Sequence, residues 1–181
     1  MSPDEARRIL AEADLICPPE QVDRALDRLA GEIRGRLAEA NPLVLAVMGG
    51  AIIFAGRLLP RLDFPLECDY VHATRYGSGT TGGELAWLVA PRTPVAGRTV
   101  LLLDDILDQG ITLAAIKERL LAEGAKECVV AVLTEKDLNR PKPIAPDFVG
   151  LHLPDRYVFG CGMDIRGAWR NLPAIYAVRG L

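Results

Sequence analysis

The segment that most restricts the fold of this chain is the stretch of residues 99–112, TVLLLDDILDQGIT. It opens with an unbroken apolar run, which is typical of a strand covered on both faces of a parallel sheet. Asp104 and Asp105 end that run, and the turn after them leads into an amphipathic helix over 113–121, with Gly124 as its predicted stop. A buried strand, a turn and a helix in this order predict an α/β fold, in which ligands bind at the carboxyl ends of the strands.

The turn between this strand and its helix is suited to an anion. A small loop at a helix N-terminus offers free backbone N–H groups and the positive end of the helix dipole, and both attract a phosphate. The loop consists of Asp108, Gln109, Gly110, Ile111 and Thr112. Asp104 and Asp105 next to it fit a sugar phosphate, because carboxylates can accept hydrogen bonds from sugar hydroxyls or lie near a metal ion. The acid pair alone would equally describe a buried strand that ends in a solvated acidic turn.

The whole segment closely resembles the phosphoribosyl pyrophosphate motif of the type I phosphoribosyltransferases. The shared pattern is an apolar strand, two acids, two apolar residues, Asp, a variable residue, Gly, a variable residue and Thr. The resemblance implies that the loop binds the 5′-phosphate, that Asp104 and Asp105 hold the ribose directly or through Mg²⁺, and that Asp108 is the general base. Asp104 stands where the family more often has Glu, and Gln109 stands where a small hydroxyl residue often helps to hold the phosphate.

A second strand, loop and helix lie upstream. Residues 43–48 form an apolar strand, Gly49 and Gly50 follow, and residues 51–59 are a predicted helix that Pro60 ends. By itself this pattern also describes an ordinary tight turn. In the purine phosphoribosyltransferases the matching loop contacts pyrophosphate through backbone N–H groups, which implies that role for Met48, Gly49 and Gly50. The family usually has Lys or Arg where this chain has Gly49.

A glycine-rich segment follows the predicted strand 66–75. Residues 75–84 contain much Gly, Ser and Thr and almost no apolar side chain, which predicts a mobile loop or a slack hairpin connection before a returning strand over 85–89. In the family a flexible loop at this place closes over the reacting centre and excludes water. The resemblance assigns that loop to Arg75, Tyr76 and Gly77, although the family commonly has Ser where this chain has Arg75.

Two further segments carry the resemblance toward the C-terminus. The predicted strand 127–133 ends in Thr134, Glu135 and Lys136, and a Lys at this place in hypoxanthine–guanine members hydrogen-bonds the 6-oxo group of the purine. A donor-only side chain prefers that acceptor to the amino group of adenine. The segment 154–164 with Arg170 resembles the purine hood of the same enzymes. The resemblance implies that Tyr157 stacks on the purine, Val158 offers backbone groups to its edge, Asp164 holds Mg²⁺ and Arg170 faces pyrophosphate.

Ordinary structural roles remain as alternatives for these residues. Tyr157 could be a core aromatic, Asp164 and Arg170 could be a surface ion pair, and Lys136 could be a solvated residue at a strand end. His72 is interpreted as a hydrogen-bonded structural residue, and His152 has no acid or nucleophile near it in sequence. Each alternative is reasonable for one residue, whereas together with the central motif the segments favour a ligand site.

The bulk composition excludes several classes of protein. A chain of 181 residues with 50% hydrophobic content is expected to form one domain over 1–181 with a sizeable core. A net charge of −3 gives no electrostatic footprint for nucleic acid. No apolar segment approaches the length of a membrane span, and the N-terminus lacks the layout of a signal peptide. The four scattered cysteines have no metal-ligand spacing, which predicts reduced thiols in a cytoplasmic protein.

Together these observations predict an α/β fold, a twisted parallel β-sheet flanked by helices with a small C-terminal hood. The core is expected over 43–151 and the hood over 152–181, with the helices predicted over 3–13 and from Pro19 as candidates to join it. The resemblance implies a Mg²⁺-dependent hypoxanthine–guanine phosphoribosyltransferase that makes IMP or GMP from phosphoribosyl pyrophosphate and a 6-oxopurine, as a dimer or tetramer. A xanthine-using sister enzyme and a gene regulator that senses phosphoribosyl pyrophosphate are the two alternatives.

Overall fold

The structure is a computed structural model that describes residues 1–76 and 84–180. The α-helices are α1 (Pro3–Glu12), α2 (Pro19–Leu37), α3 (Ala51–Leu58) and α4 (Ile111–Ala122), and a 3-10 helix follows α3 at Leu59–Arg61. The strands are β1 (Asp14–Cys17), β2 (Leu43–Val47), β3 (Glu67–Tyr76), β4 (Glu84–Val89), β5 (Thr99–Leu107), β6 (Glu127–Asp137), β7 (Phe148–Pro154), β8 (Val158–Phe159) and β9 (Ile175–Ala177). Every helix within the described ranges is too short or too polar to cross a bilayer.

The main sheet has six strands in the order β4-β3-β2-β5-β6-β7. Its strand pairs are parallel except for β3 and β4, which form an antiparallel hairpin. Side chains alternate along β5, so that Leu101 and Leu103 face the core under α2 and α3, whereas Val100 and Leu102 face the core under α4. The sheet is therefore covered on both faces, which explains the apolar runs and confirms the predicted fold class.

The strands β5 and β6 are longer than the sequence indicates. Asp104 and Asp105 were expected to end the first strand, but backbone pairing continues to Leu107 opposite Glu135. The prediction was wrong because it located the strand end where the apolar side chains stop, whereas the backbone hydrogen bonds to β6 continue past the acids. The two carboxylates therefore stand on the sheet itself.

The hood contains a small antiparallel sheet in the order β1-β9-β8. The strand β1 was not predicted, because its four residues lie between two helices and only Cys17 among them is buried. Helix α1 joins the hood through a hydrogen bond from Trp169 Nε1 to the carbonyl of Ala6 (2.9 Å) and an ion pair between Arg166 and Glu5 (2.9 Å). Helix α2 instead packs against β7 of the main sheet.

Candidate active site

The loop before α4 forms one half of the site. Gly110 is the N-cap of the helix and has a left-handed backbone with φ of 77°, which favours glycine. The backbone N–H groups of the first turn have no partner within the helix, so they are free for an anion. A pocket of about 370 Å³ lies in front of them, and its lining runs from Asp104 to Leu113 without a gap. The pocket thus includes all five residues of the predicted phosphate loop.

The two adjacent acids differ in their surroundings. Asp105 is 7% exposed, and one of its carboxylate oxygens accepts the N–H of Ile106 (2.9 Å). Burial raises the pKa of Asp105, and the hydrogen bond with Asp104 and the charge of Arg170 oppose that effect. Burial and the neighbouring Asp105 charge raise the pKa of Asp104 well above its usual range. A cation or hydroxyl donor at this position would stabilise the charged pair.

The loop before α3 approaches the acid pair very closely. Gly50 lies against Asp105, and a Cβ atom added to Gly50 would overlap the Asp105 carboxylate. Gly162, from the hood, has φ of 108° and sits against the Gly50 carbonyl in the same way. Among the three residues predicted for the pyrophosphate loop, Gly50 lines the main cleft, whereas Met48 and Gly49 precede it along the chain.

We expect Gly50→Ala to lower turnover by at least about tenfold, because a displacement of the Asp105 carboxylate on the scale of 1 Å can cost up to about a hundredfold in rate. Gly56→Ala is the matched control, since Gly56 lies within α3, outside the predicted pyrophosphate loop, and an added Cβ there meets nothing within 4 Å. The measurement is kcat at saturating substrates for both variants, together with their thermal midpoints. Equal kcat in the two variants would contradict this packing argument.

The main cleft, of about 340 Å³, lies between the loops and the hood. It is lined by Gly50, Asp105, Ile106, Asp108, Lys136, Tyr157, Val158, Met163, Asp164 and Arg170. At its base, the ammonium nitrogen of Lys136 lies 3.2 Å from a carboxylate oxygen of Asp108 and 4.0 Å from one of Asp155. The Lys136 side chain is 11% exposed and that of Asp108 is 47% exposed. Lys136 is therefore an enclosed cation at a strand end, not a solvated one.

The hood supplies the opposite wall. Tyr157 is 46% exposed over the cleft, so it is not a core aromatic, whereas Val158 is buried. Arg170 bonds Asp164 (2.5 Å) and donates to the carbonyl of Gly162 (2.6 Å). The ion pair exists, but both of its members line the cleft, which leaves them within reach of a ligand.

The acid groups of the site fit a divalent cation that is shared with a ligand. Within residues 1–76 and 84–180, no group of three or more His, Cys, Asp or Glu side chains is arranged to enclose a metal. Mg²⁺ commonly binds one or two carboxylates and completes its shell with phosphate oxygens and water. Asp105 and Asp164 line the same cleft, and Asp104 lines the adjoining pocket, so the donors present match that mode of binding.

Several contacts of the site were not predicted from the sequence. Met163 and Ile106 line the cleft although neither carries polar chemistry, and Thr134 donates from a fully buried position to the carbonyl of Asp105 (2.9 Å). The only sequence signal for these residues was their position: Met163 precedes Asp164, Ile106 follows Asp105, and Thr134 follows the predicted strand 127–133. Of the predicted mobile loop, Arg75 and Tyr76 are the last residues of β3, and Gly77 lies outside the described residues.

Comparison with known proteins gives a family match and several close relatives. Residues 19–166 match the family model described as the phosphoribosyl transferase domain. The chain is 33% identical over 157 residues to the hypoxanthine-guanine phosphoribosyltransferase of Bacillus subtilis (strain 168), with 86% of this chain and 87% of that protein covered. It is 31% identical over 173 residues to the hypoxanthine-guanine-xanthine phosphoribosyltransferase of Tritrichomonas foetus, with 95% and 91% covered.

Solved structures resemble this fold over nearly the whole chain. A crystal structure of a hypoxanthine phosphoribosyltransferase from Staphylococcus aureus matches with a TM-score of 0.88 and 26% sequence identity, and the match covers 95% of both chains. A hypoxanthine-guanine phosphoribosyltransferase from Bacillus anthracis matches with a TM-score of 0.85 and 28% identity, over 91% of this chain and 98% of that one. The similarity thus extends over nearly the full length of both proteins.

Proposed function

The chain belongs to the phosphoribosyl transferase domain family, and we propose that it transfers the 5-phosphoribosyl group of phosphoribosyl pyrophosphate to hypoxanthine or guanine, giving IMP or GMP and pyrophosphate in purine salvage. The observation that carries this proposal is the cleft that joins Asp108 and Lys136, 3.2 Å apart, to the exposed ring of Tyr157. That arrangement offers a proton acceptor, a donor for a 6-oxo group and a stacking surface around one space.

Phosphoribosyl pyrophosphate would lie across both pockets. The N-terminal turn of α4 binds the 5′-phosphate, because its free N–H groups and dipole favour an anion. Asp104 and Asp105 accept hydrogen bonds from the ribose hydroxyls. The pyrophosphate lies toward the loop of Met48, Gly49 and Gly50 and toward Arg170, whose guanidinium can bind phosphate oxygens in pairs.

Departure of pyrophosphate from C1′ leaves a cation-like ribose, which a purine nitrogen attacks. Asp108 takes the proton from the neighbouring purine N–H, since its side chain is half exposed at the cleft and lies at the start of the phosphate loop. Lys136 donates to the 6-oxo group, Tyr157 stacks on the ring, and the backbone of Val158 bonds the purine edge.

We assign a Mg²⁺ site to Asp164, Asp104 and Asp105, whose carboxylates would hold the ion. The bound ion supplies charge neutralisation of the pyrophosphate leaving group. The Asp164 carboxylate is held in place by Arg170 and by the N–H of Gly167 (2.6 Å), so its position does not depend on the ion.

The thiol chemistry agrees with a reducing compartment. All four cysteines are free, and burial raises the pKa of Cys128 and of Cys161 to about 11. Thiols protonated in this way are unreactive and need no disulfide partner. We place the protein in the cytoplasm, where thiols stay reduced.

An ultraviolet assay with Mg²⁺ and phosphoribosyl pyrophosphate tests the substrate assignment, with hypoxanthine, guanine, xanthine and adenine offered one at a time. We expect turnover of hypoxanthine and guanine and little of adenine, because Lys136 can only donate a hydrogen bond. Turnover of xanthine as well would indicate the wider substrate range that the name of the Tritrichomonas foetus relative describes. Preference for adenine would contradict the proposal.

A further inference from the structure

A partly buried lysine lies behind the two residues at the base of the cleft. Lys142 belongs to the loop of residues 138–147 between β6 and β7, and its side chain is only 9% exposed. Its ammonium nitrogen donates to the carbonyl of Lys136 (2.6 Å), to a carboxylate oxygen of Glu135 (3.0 Å) and to the carbonyl of Leu107 (3.3 Å). An ammonium group has three N–H donors, so these three acceptors use all of them.

The contacts of Lys142 occur where the backbone pairing between β5 and β6 ends. The last paired residues of β5 and β6 are Leu107 and Glu135. Asp108 and Lys136 come directly after them, just past the end of the pairing between β5 and β6, although Lys136 still pairs with Leu153 of β7. Lys142 bonds one carbonyl from each strand at this point. Its ammonium group therefore links β5 and β6 where their own backbone hydrogen bonds have ended.

The loop that carries Lys142 is pre-organised for this contact. Pro141 and Pro143 flank the lysine, and a residue before proline is restricted to extended backbone. Fewer backbone states in the unfolded chain lower the entropy lost when the side chain is fixed. The loop also packs on the phosphate loop, since a Cβ added to Gly110 would meet Ile144 at 3.0 Å and Pro143 at 3.7 Å.

We propose that Lys142 is a positioning residue that sets the separation and direction of Asp108 and Lys136 by holding the carbonyls of Leu107 and Lys136. The proposal rests on the proposed function, because it concerns how the site holds its proton acceptor and its 6-oxo donor. Lys142 acts through backbone groups and does not itself line the main cleft. Its loss therefore affects purine use more than phosphate binding.

The test is Lys142→Met, which keeps the length and apolar stem of the side chain, and hence the packing of the loop on Gly110, but removes the three hydrogen bonds. Lys126→Met is the matched control, because Lys126 is exposed at the opposite end of β6.

The readout is the ratio of the KM for hypoxanthine to the KM for phosphoribosyl pyrophosphate, which does not depend on the concentration of folded enzyme. We expect Lys142→Met to raise this ratio about tenfold and to lower kcat about tenfold, in line with the cost of a small misplacement. Lys126→Met should change neither.

An unchanged ratio of the two KM values in Lys142→Met would overturn the proposal, even if total activity fell, because it would show a role in stability alone. If that variant does not fold, Glu135→Gln takes its place, since it removes the charge that neutralises the ammonium but leaves both carbonyl acceptors. We expect a rise of about threefold in the ratio for Glu135→Gln, and no rise would equally overturn the proposal. Absence of IMP formation by the unaltered protein would count against the proposed function instead, so the two failures are distinguishable.

Discussion

Asp108→Asn is expected to lower kcat by about 10²–10⁴-fold, because positioned proton transfer contributes on that scale and an amide cannot accept the purine proton. The substitution keeps the size of the side chain and can still hydrogen-bond Lys136, which lies 3.2 Å from the native carboxylate. Binding of phosphoribosyl pyrophosphate should persist, since the phosphate is held by the N-terminal turn of α4. The rate loss should therefore occur in turnover and not in affinity.

Single-turnover kinetics and calorimetric titration with phosphoribosyl pyrophosphate separate these two effects. Asp137→Asn is the matched control, because Asp137 lies one residue beyond Lys136, is 61% exposed and pairs with His152 at 3.5 Å outside the cleft. We expect the control to turn over like the unaltered protein. A kcat of Asp108→Asn within about threefold of the unaltered value would exclude Asp108 as the general base.

Lys136→Gln is expected to narrow the preference for hypoxanthine over adenine by about a hundredfold or more. A site built to hydrogen-bond one substrate group can discriminate by about 10⁴–10⁵-fold in kcat/KM against an analogue that lacks this group. The reason is that the buried polar atoms of the site are then left unpaired. Lys136 can only donate, whereas a glutamine amide can donate to a 6-oxo group or accept from a 6-amino group. The side chain is 11% exposed, so water cannot readily replace the lost partner.

The measurement is kcat/KM for hypoxanthine and for adenine in the same preparation, since their ratio is independent of active enzyme concentration. Lys126→Gln makes the same chemical change at an exposed position and should leave the ratio unaltered. If kcat/KM fell by the same factor for hypoxanthine and for adenine, Lys136 would support the site without distinguishing the two purines. Such a result would assign the specificity to the hood.

The main sheet could be predicted from the sequence because burial on both faces leaves long apolar runs, and the run at 99–103 is the clearest of them. The end of β5 could not, because backbone pairing with β6 leaves no mark on the side chains of Asp104 and Asp105. The strand β1 was missed for a related reason. Its four residues carry little apolar periodicity, and they form a strand only because β9 is there to pair with them.

The site residues that could be predicted are those whose side chains or backbone have a defined role at a fixed spacing in a motif, such as Asp108 and Gly110. What could not be predicted is the packing that surrounds them. The contact of Gly50 with Asp105 joins positions far apart in the sequence, and so does the bond from Lys142 to Leu107. A glycine and a lysine in loops give no sequence signal of that kind, because close approach depends on the assembled sheet and hood.

The most direct test of the proposed transferase activity is product analysis after incubation of the purified protein with Mg²⁺, phosphoribosyl pyrophosphate and hypoxanthine. We expect that IMP and pyrophosphate form in equal amounts, and that Asp108→Asn forms them far more slowly under the same conditions. Binding of phosphoribosyl pyrophosphate without formation of IMP or GMP from any 6-oxopurine would contradict it, and would indicate a sensor of this ligand instead of a transferase.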